Sequence, residues 1–117
     1  MEEINGATLI LPEDGEAGFG PSETSDAYVV QLGGMPPGAE GPPLHIHPHT
    51  DEAFFVMEGE MTFVLGEREV PAPPGTFVFV PRGVVHTARN DGSTAVRGMI
   101  VLSPGDAEHL TEPVGAP

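Results

Sequence analysis

The sequence predicts an all-β sandwich or barrel, because short apolar runs alternate with turn-forming residues along most of the chain. Val, Ile, Phe and Thr, which favour strands, dominate the runs, and 16 glycines and 14 prolines punctuate the chain. Prolines through most of the first half exclude long helices there. The predicted strands span residues 7–11, 27–32, 43–49, 53–58, 61–65, 76–81, 85–90 and 95–102.

Turn signals separate these strands in order. Residues 12–26 are acidic and glycine-rich, so we expect a loop or a mobile arm between the first two strands. Residues from Pro104 onward are also turn-like, with one helical turn around residues 106–110. The remaining strands are bounded by dipeptides typical of turns, namely Gly33-Gly34, Glu58-Gly59, Leu65-Gly66, Pro74-Gly75 and Asp91-Gly92.

Length and composition limit the possible functions. At 117 residues the chain has room for one domain with one core. It has no cysteine, so a disulfide framework and a thiolate metal site are excluded, and any metal must be bound by nitrogen and oxygen. Eighteen acidic residues against four arginines give a formal charge of -14, which argues against nucleic acid and anionic lipid as partners.

The N-terminus begins with two glutamates and a short apolar run that ends before Pro12. A secretory signal needs a basic start and a longer apolar stretch, and no segment approaches the roughly 18 apolar residues of a membrane span. We therefore expect a cytoplasmic protein without a membrane partner.

Two of the predicted strands are apolar at consecutive positions, 53–57 and 77–80. A strand with only one buried face should alternate apolar and polar side chains. A strand that is apolar on both faces indicates that its outer face packs on something, and we predict a homodimer on this basis.

Four of the five histidines fall into two clusters. On a strand, alternate residues share a face, so His45 and His47 are expected to point the same way. Glu52 follows a short turn, on the neighbouring strand, and His86 lies just after the tight turn at residues 81–83, on a strand that could lie opposite the first cluster. Three imidazoles and one carboxylate are a coherent ligand set for a divalent transition metal.

These residues closely resemble the two motifs of the cupin superfamily. The first, Gly-x5-His-x-His-x4-Glu-x6-Gly, is matched by His45, His47, Glu52 and Gly59, although its leading glycine has no match at the required spacing. The second, Gly-x5-Pro-x-Gly-x2-His-x3-Asn, is matched at every fixed position, by Gly75, Pro81, Gly83, His86 and Asn90. The resemblance covers about residues 27–102.

The resemblance implies a double-stranded β-helix, or jelly-roll barrel. It implies a single cupin domain over residues 1–117, with an acidic N-terminal arm (1–26), a barrel core (about 27–102) and a short C-terminal tail (103–117). In that family the positions of His45, His47, Glu52 and His86 hold the metal. Relatives use Fe, Mn, Ni, Zn or Cu, so the ligands do not identify the metal.

Three His and one Glu leave two positions open on a six-coordinate metal, which suits a substrate with neighbouring oxygens. We expect a dioxygenase-type oxidoreductase that acts on a small, oxygen-rich organic molecule, with Glu52 as a catalytic base. Two alternatives remain: a metal-dependent isomerase, cyclase or lyase, and a non-catalytic small-molecule-binding cupin. His49 shares strand parity with His45 and His47, but we expect it at the barrel mouth or in solvent.

Overall fold

The computed structural model of the protein describes residues 1–105 and 112–113. Two single helical turns occur in the first part of the chain, a 3₁₀ turn at Pro12–Asp14 and α1 at Pro21–Thr24. No helix among the described residues is long and apolar enough to cross a membrane. The strands are β1 (Glu2–Ile4), β2 (Ala7–Leu9), β3 (Gly18–Phe19), β4 (Val29–Met35), β5 (His45–Ile46), β6 (Asp51–Glu58), β7 (Met61–Leu65), β8 (Arg68–Ala72), β9 (Phe77–Val80), β10 (His86–Arg89), β11 (Val96–Ser103) and β12 (Glu112–Pro113).

The strands form two five-stranded antiparallel sheets and a separate hairpin. The large sheet has the order β3-β4-β11-β6-β9, and the small sheet has the order β12-β5-β10-β7-β8. Consecutive strands β5 and β6 lie in different sheets, as expected for a jelly roll, which confirms the predicted fold class. No ladder among the described strands joins the two sheets, so they form a sandwich rather than a hydrogen-bonded closed barrel.

The core lies between the sheets and draws residues from both. The large sheet contributes Val56 and Val96, and the small sheet contributes Met61, Phe63 and Ala72, all of them buried. Alternation along each strand puts these side chains on the inward faces. In the large sheet, Phe54 and Val78 add to the same core.

Each of the eight predicted strands overlaps a strand of the structure, although not always in extent, and β1, β3, β8 and β12 were not predicted. Strand 61–65 is confirmed residue for residue, whereas only His45–Ile46 of the predicted strand 43–49 is a strand. The prediction of a turn at Gly33-Gly34 is wrong, because both glycines belong to β4. A Cβ on Gly34 would lie 2.4 Å from the Val96 carbonyl oxygen, so close packing of two backbones explains this glycine.

The N-terminal part is more ordered in structure than the predicted loop or mobile arm. Residues 12–26 contain the 3₁₀ turn, β3 and α1, and β3 pairs with the edge of β4. Upstream of them, β1 and β2 form a hairpin around Asn5 and Gly6, both with positive φ, a dipeptide that strongly favours such a turn. The helical turn predicted at residues 106–110 lies outside the described residues.

Candidate metal centre

Four polar side chains of opposite sheets meet in the interior. His45, His47, Glu52 and His86 are all buried, and one potential ligand atom from each lies within 4.8 Å of the others. Buried histidines and carboxylates are uncommon unless they are paired or bind a metal. The donor set and its compactness mean that this cluster could bind a metal ion.

The strands bring these residues together in part differently from the sequence-based expectation. His86 lies directly across from the first cluster, because β10 pairs with β5 and His86 is the cross-strand partner of His45. Glu52 is not on the strand next to β5, because the turn after His47 carries the chain across to β6 in the large sheet. The carboxylate therefore meets the imidazoles from the opposite side of the sandwich.

Backbone carbonyls orient two of the three imidazole rings. The Nδ1–H of His45 donates to the Pro43 carbonyl, and the Nδ1–H of His86 donates to the Val84 carbonyl, each at 2.9 Å. Each carbonyl lies two residues before its histidine, so a local backbone conformation sets the ring. With Nδ1 engaged, each ring presents Nε2 to the cluster, as metal-ligating histidines generally do.

The turn before His86 is tied to the first histidine cluster. Gly83 has a positive φ of 82°, which favours glycine, and its N–H donates to the His47 carbonyl at 2.9 Å. This bond links the segment that carries His47 to the strand that carries His86. It gives a structural reason for the glycine at this motif position.

Electrostatic contacts within the cluster centre on one carboxylate oxygen. Oε1 of Glu52 lies 2.8 Å from His86 Nε2 and 3.3 Å from His47 Nε2. Since His86 donates its Nδ1–H to Val84, its Nε2 lone pair and the carboxylate oxygen can approach this closely only with a proton or another cation between them. Either a shared proton or a bound metal ion would satisfy both groups.

The histidine pKa values respond to this environment in opposite directions. Burial lowers the pKa of His47, and the attraction of Glu52 only partly offsets this effect and the repulsion from the other two rings. Burial also acts to lower the pKa of His86, but the hydrogen bonds to Glu52 and the Val84 carbonyl outweigh it and raise the pKa. The surroundings of the cluster therefore favour the neutral form of His47.

Asp51 and Arg82, near the cluster, form a contact that was not expected from the sequence. Asp51 accepts hydrogen bonds from the Arg82 backbone N–H at 2.9 Å and from its guanidinium at 3.1 and 3.3 Å. The Arg82 side chain, followed by its backbone N–H, lowers the pKa of Asp51. This exposed pair fixes the turn of residues 81–83 to the start of β6, next to Glu52. Asp51 and Arg82 are 31 positions apart, so no local sequence pattern could have predicted their contact.

Asn90, the last residue of the second motif, has a structural role. It is 1% exposed, and its Nδ2 donates to the carbonyls of Met35, Pro36 and Thr94. Its Oδ1 accepts the Gly92 N–H at 2.9 Å. The Asn90 side chain therefore stabilises the turn after β10 and also holds the end of β4.

The remaining candidate, His49, lies outside the cluster. Its side chain is exposed, whereas the neighbouring Thr50 is buried. Pro48 interrupts the strand, so the alternation that would have aligned His49 with His45 and His47 ends before it. The expectation of a solvent position for His49 agrees with this placement.

An apolar cavity lies among the core side chains, and none of the four residues of the cluster lines it. It has a volume of about 100 Å³ and is lined by core side chains that include Phe54, Met61 and Phe63. The rings of Phe54 and Phe63 pack edge to face across the sandwich with centroids 5.0 Å apart. Since Phe54 is two residues from Glu52 on the same face, this pair forms the floor beneath the polar cluster.

Comparison with known proteins identifies the family. Residues 31–102, more than half of the chain, match the family described as the Cupin domain. The chain belongs to the cupin family. The four residues of the cluster all lie within this matched segment of the cupin.

Proteins similar to this cupin include a dioxygenase and a predicted decarboxylase. It is 36% identical over 73 residues to quercetin 2,3-dioxygenase of Bacillus subtilis (strain 168), a match that spans 62% of this chain but only 21% of the relative. A Klebsiella pneumoniae protein with a double-stranded β-helix domain superposes with a TM-score of 0.68 at 24% identity, covering 78% of this chain and 77% of that one. A predicted oxalate decarboxylase from Thermotoga maritima superposes with a TM-score of 0.64 at 25% identity, covering 71% of each chain.

Proposed function

We propose that this cupin is a metal-dependent dioxygenase-type oxidoreductase acting on a small, oxygen-rich organic substrate. The observation that carries the proposal is the buried cluster of three imidazoles and one carboxylate. We propose that His45, His47, Glu52 and His86 hold one divalent transition metal, whose identity among Fe, Mn, Ni, Zn and Cu stays open. When bound, such a metal would polarise substrate oxygens and, if redox-active, support oxidation by dioxygen.

The protein side chains contribute orientation and proton transfer. The Pro43 and Val84 carbonyls hold the His45 and His86 rings, so these two ligands would need little rearrangement on binding. We assign Glu52 the role of catalytic base, which takes the proton of a substrate hydroxyl or enol at Oε1. A carboxylate at the edge of a buried, largely apolar core is well suited to accept a proton during substrate binding.

The surroundings of the cluster favour a substrate with little negative charge. Arg82 is engaged by Asp51, and Arg89 contacts Glu69 and Asp91. Neither guanidinium is available as a clamp for a dianion. The match to quercetin 2,3-dioxygenase points the same way, to an aromatic substrate rich in hydroxyl and keto groups.

Cavity size limits where such a substrate can bind. The internal cavity of about 100 Å³ is smaller than the roughly 150 Å³ that accommodates one benzene ring. The substrate therefore approaches the cluster from the rim of the sandwich and does not enter the core. His86 is 2% exposed, and His45, His47 and Glu52 are each somewhat more accessible, so we place the substrate on their side.

Metal-loaded protein tests the proposed reaction directly. Oxygen consumption is measured with Fe(II)- or Ni(II)-loaded protein and a panel of catechols and flavonols, together with product analysis by mass spectrometry. We expect substrate-dependent oxygen uptake that Glu52→Gln abolishes and that His49→Ala leaves unchanged. Oxygen uptake that is independent of substrate, or equal in Glu52→Gln, contradicts the proposal.

A metal-dependent lyase is the second candidate, supported by the structural similarity to a predicted oxalate decarboxylase. It differs from the dioxygenase in converting its substrate under strictly anaerobic conditions. A ligand that raises the melting temperature without any product would instead favour a non-catalytic small-molecule-binding cupin. The single domain over residues 1–117, the homodimer and the cytoplasmic location stay predictions.

A further inference from the structure

Two glycines create the space of the apolar cavity in the core. Gly33 of β4 and Gly98 of β11 are cross-strand partners, and Gly98 is also paired with the buried core residue Val56. Paired residues of an antiparallel ladder share a face, so both glycines lie on the inward face of the large sheet. Neither contributes a side chain there, and both line the cavity of about 100 Å³.

The two glycines differ in what the backbone requires. A Cβ on Gly98 would lie 2.7 Å from the Phe55 carbonyl oxygen, so the close approach of β11 and β6 explains this glycine. A Cβ on Gly33 would meet no atom within 4 Å, and the φ of Gly33 is not positive. The backbone therefore does not require glycine at position 33, and a side chain there would occupy free volume.

The lining of the cavity excludes both water and an aromatic ring as stable occupants. In the described part of the chain no polar side chain lines it, and three of the lining residues are methionines, namely Met35, Met61 and Met99. A buried water needs about two to four polar partners, which such a lining does not provide. A cavity that accommodates benzene measures about 150 Å³, which exceeds the volume here. The space therefore suits an apolar molecule of very few atoms.

The cavity lies one row of side chains away from the proposed metal centre. Phe54 and Ile100, which line it, are cross-strand partners, and each is two residues along its strand from the pair Glu52 and Leu102. Two residues along a strand span about 7 Å, which is the separation of the two rows. The packed rings of Phe54 and Phe63 form the boundary between the cavity and the polar cluster.

We propose that this cavity binds dioxygen and supplies it to the metal centre. The inference rests on the proposed dioxygenase function, which needs dioxygen and an organic substrate at one site. Dioxygen is small and apolar, so its transfer from water into apolar surroundings is favourable. Because the organic substrate approaches from the rim of the sandwich, the two reactants would reach the cluster from different sides.

The edge of the large sheet gives access to the cavity. Strand β3 pairs with β4 at Val30 and Gln31, and no other described strand pairs with this outer edge of β4. Gly33 lies beyond the paired residues and is exposed. A side chain at position 33 would therefore both fill the cavity and close this edge, which makes Gly33 the position to vary.

Xenon binding tests the cavity without any reaction, because xenon is an apolar probe that occupies dry cavities in proteins. In xenon-pressurised crystals of metal-free protein we expect one xenon site in the cavity, beside Gly33. Gly33→Val should abolish it, since valine favours strands and its side chain fills the space. Val30→Leu is the control, because it enlarges a side chain on the outward face of the same strand and should leave xenon bound.

A second variant keeps the xenon test valid if Gly33→Val does not fold. Ile100→Val removes one methylene group from the lining, so the cavity is larger and the xenon occupancy should rise. A wild-type cavity without xenon, or full xenon occupancy in folded Gly33→Val, overturns the proposal.

Steady-state kinetics tests the use of the cavity in the reaction. Oxygen uptake by metal-loaded protein is measured at several dioxygen concentrations with saturating flavonol. Gly33→Val should raise the KM for dioxygen roughly 5-fold, because the apolar surroundings are no longer available to it, and should leave the KM for flavonol unchanged. Bound xenon with an unchanged KM for dioxygen overturns the supply of dioxygen alone. Bound xenon with no oxygen uptake by the wild type overturns the proposed dioxygenase function, and the role of dioxygen with it.

Discussion

The two faces of β6 differ in an unusual way, because a charged side chain is buried on the inward face and apolar side chains are exposed next to the outward face. Its inward face carries Glu52, a buried carboxylate that contacts His47 and His86. Its outward face carries Phe55, which packs against the largely exposed Phe77. Stability alone favours apolar side chains inside and polar ones outside. Departures from that rule are where binding is proposed: a metal ion inside the sandwich and a second copy of the chain outside it.

Replacing one of the proposed metal ligands inside the sandwich should have the largest effect on the protein. We expect His86→Ala to reduce bound metal from one ion per chain to below about a tenth, since losing a ligand exceeds the 10–100-fold cost of losing a neighbour of one. Elemental analysis of purified protein measures this. The matched control is His49→Ala, which removes an exposed histidine from the same segment and should retain full metal content. Stoichiometric metal in His86→Ala would exclude the proposed ligand set.

Replacing a core phenylalanine and replacing a surface phenylalanine should lower the stability with different dependence on protein concentration. Phe63 is buried at the floor of the cluster, so Phe63→Ala should lower the free energy of unfolding by about 3–5 kcal/mol at any protein concentration. The largely exposed Phe77 contacts Phe55 within the monomer, and the predicted dimer would bury its exposed surface as well. The loss of apparent stability in Phe77→Ala should therefore grow with protein concentration. Denaturant unfolding over a range of concentrations measures both. Equal, concentration-independent losses would mean that the outer face has no partner.

The local parts of the site could be predicted from the sequence. Spacing within a few residues determines the pair His45 and His47 and places His86 after the turn of Gly83, and the structure brings these residues together. The arrangement of strands could not be predicted in the same way. Pairing of β10 with β5 and the position of Glu52 in the other sheet are non-local, and hydrophobic periodicity carries no information about them.

Missed strands had weak or unrecognised signals. Strand β8 contains Pro71 and two charged residues, a composition that an edge strand tolerates but a central strand does not. Two of the three residues of strand β1 are glutamates, yet Asn5-Gly6 after it is a strong hairpin signal that could have predicted the strand. The outward apolar face could be predicted from the apolar runs at residues 53–57 and 77–80. The position of residues 10–17 beside β4 could not, because no local sequence pattern places that segment there.

Replacing Asn90 measures how much a buried polar group outside the proposed metal site contributes to stability. Asn90→Ala would leave three carbonyls without their donor, and we expect it to lower the free energy of unfolding by roughly 2–3 kcal/mol. Asn90→Asp keeps the shape but directs a carboxylate at those carbonyls, so its loss should be larger. Denaturant unfolding ranks the two variants. A smaller loss in Asn90→Asp than in Asn90→Ala would contradict the observed donor role of Nδ2, and folded protein of both variants should still bind metal.

The smallest expected effect concerns the hairpin, whose two sides differ as those of β6 do. Ile4 and Leu9 lie on the more apolar side, which Glu2 shares, and Glu3 lies on the other, polar side. Ile4→Ser should leave unfolding of the monomer within about 0.5 kcal/mol of wild type, because the side chain is exposed there. It should weaken the dimer by about 1 kcal/mol, or roughly 5-fold, if the apolar side is buried against the partner. Glu3→Gln is the control on the polar side. If both variants dimerise like wild type, the hairpin lies outside the interface.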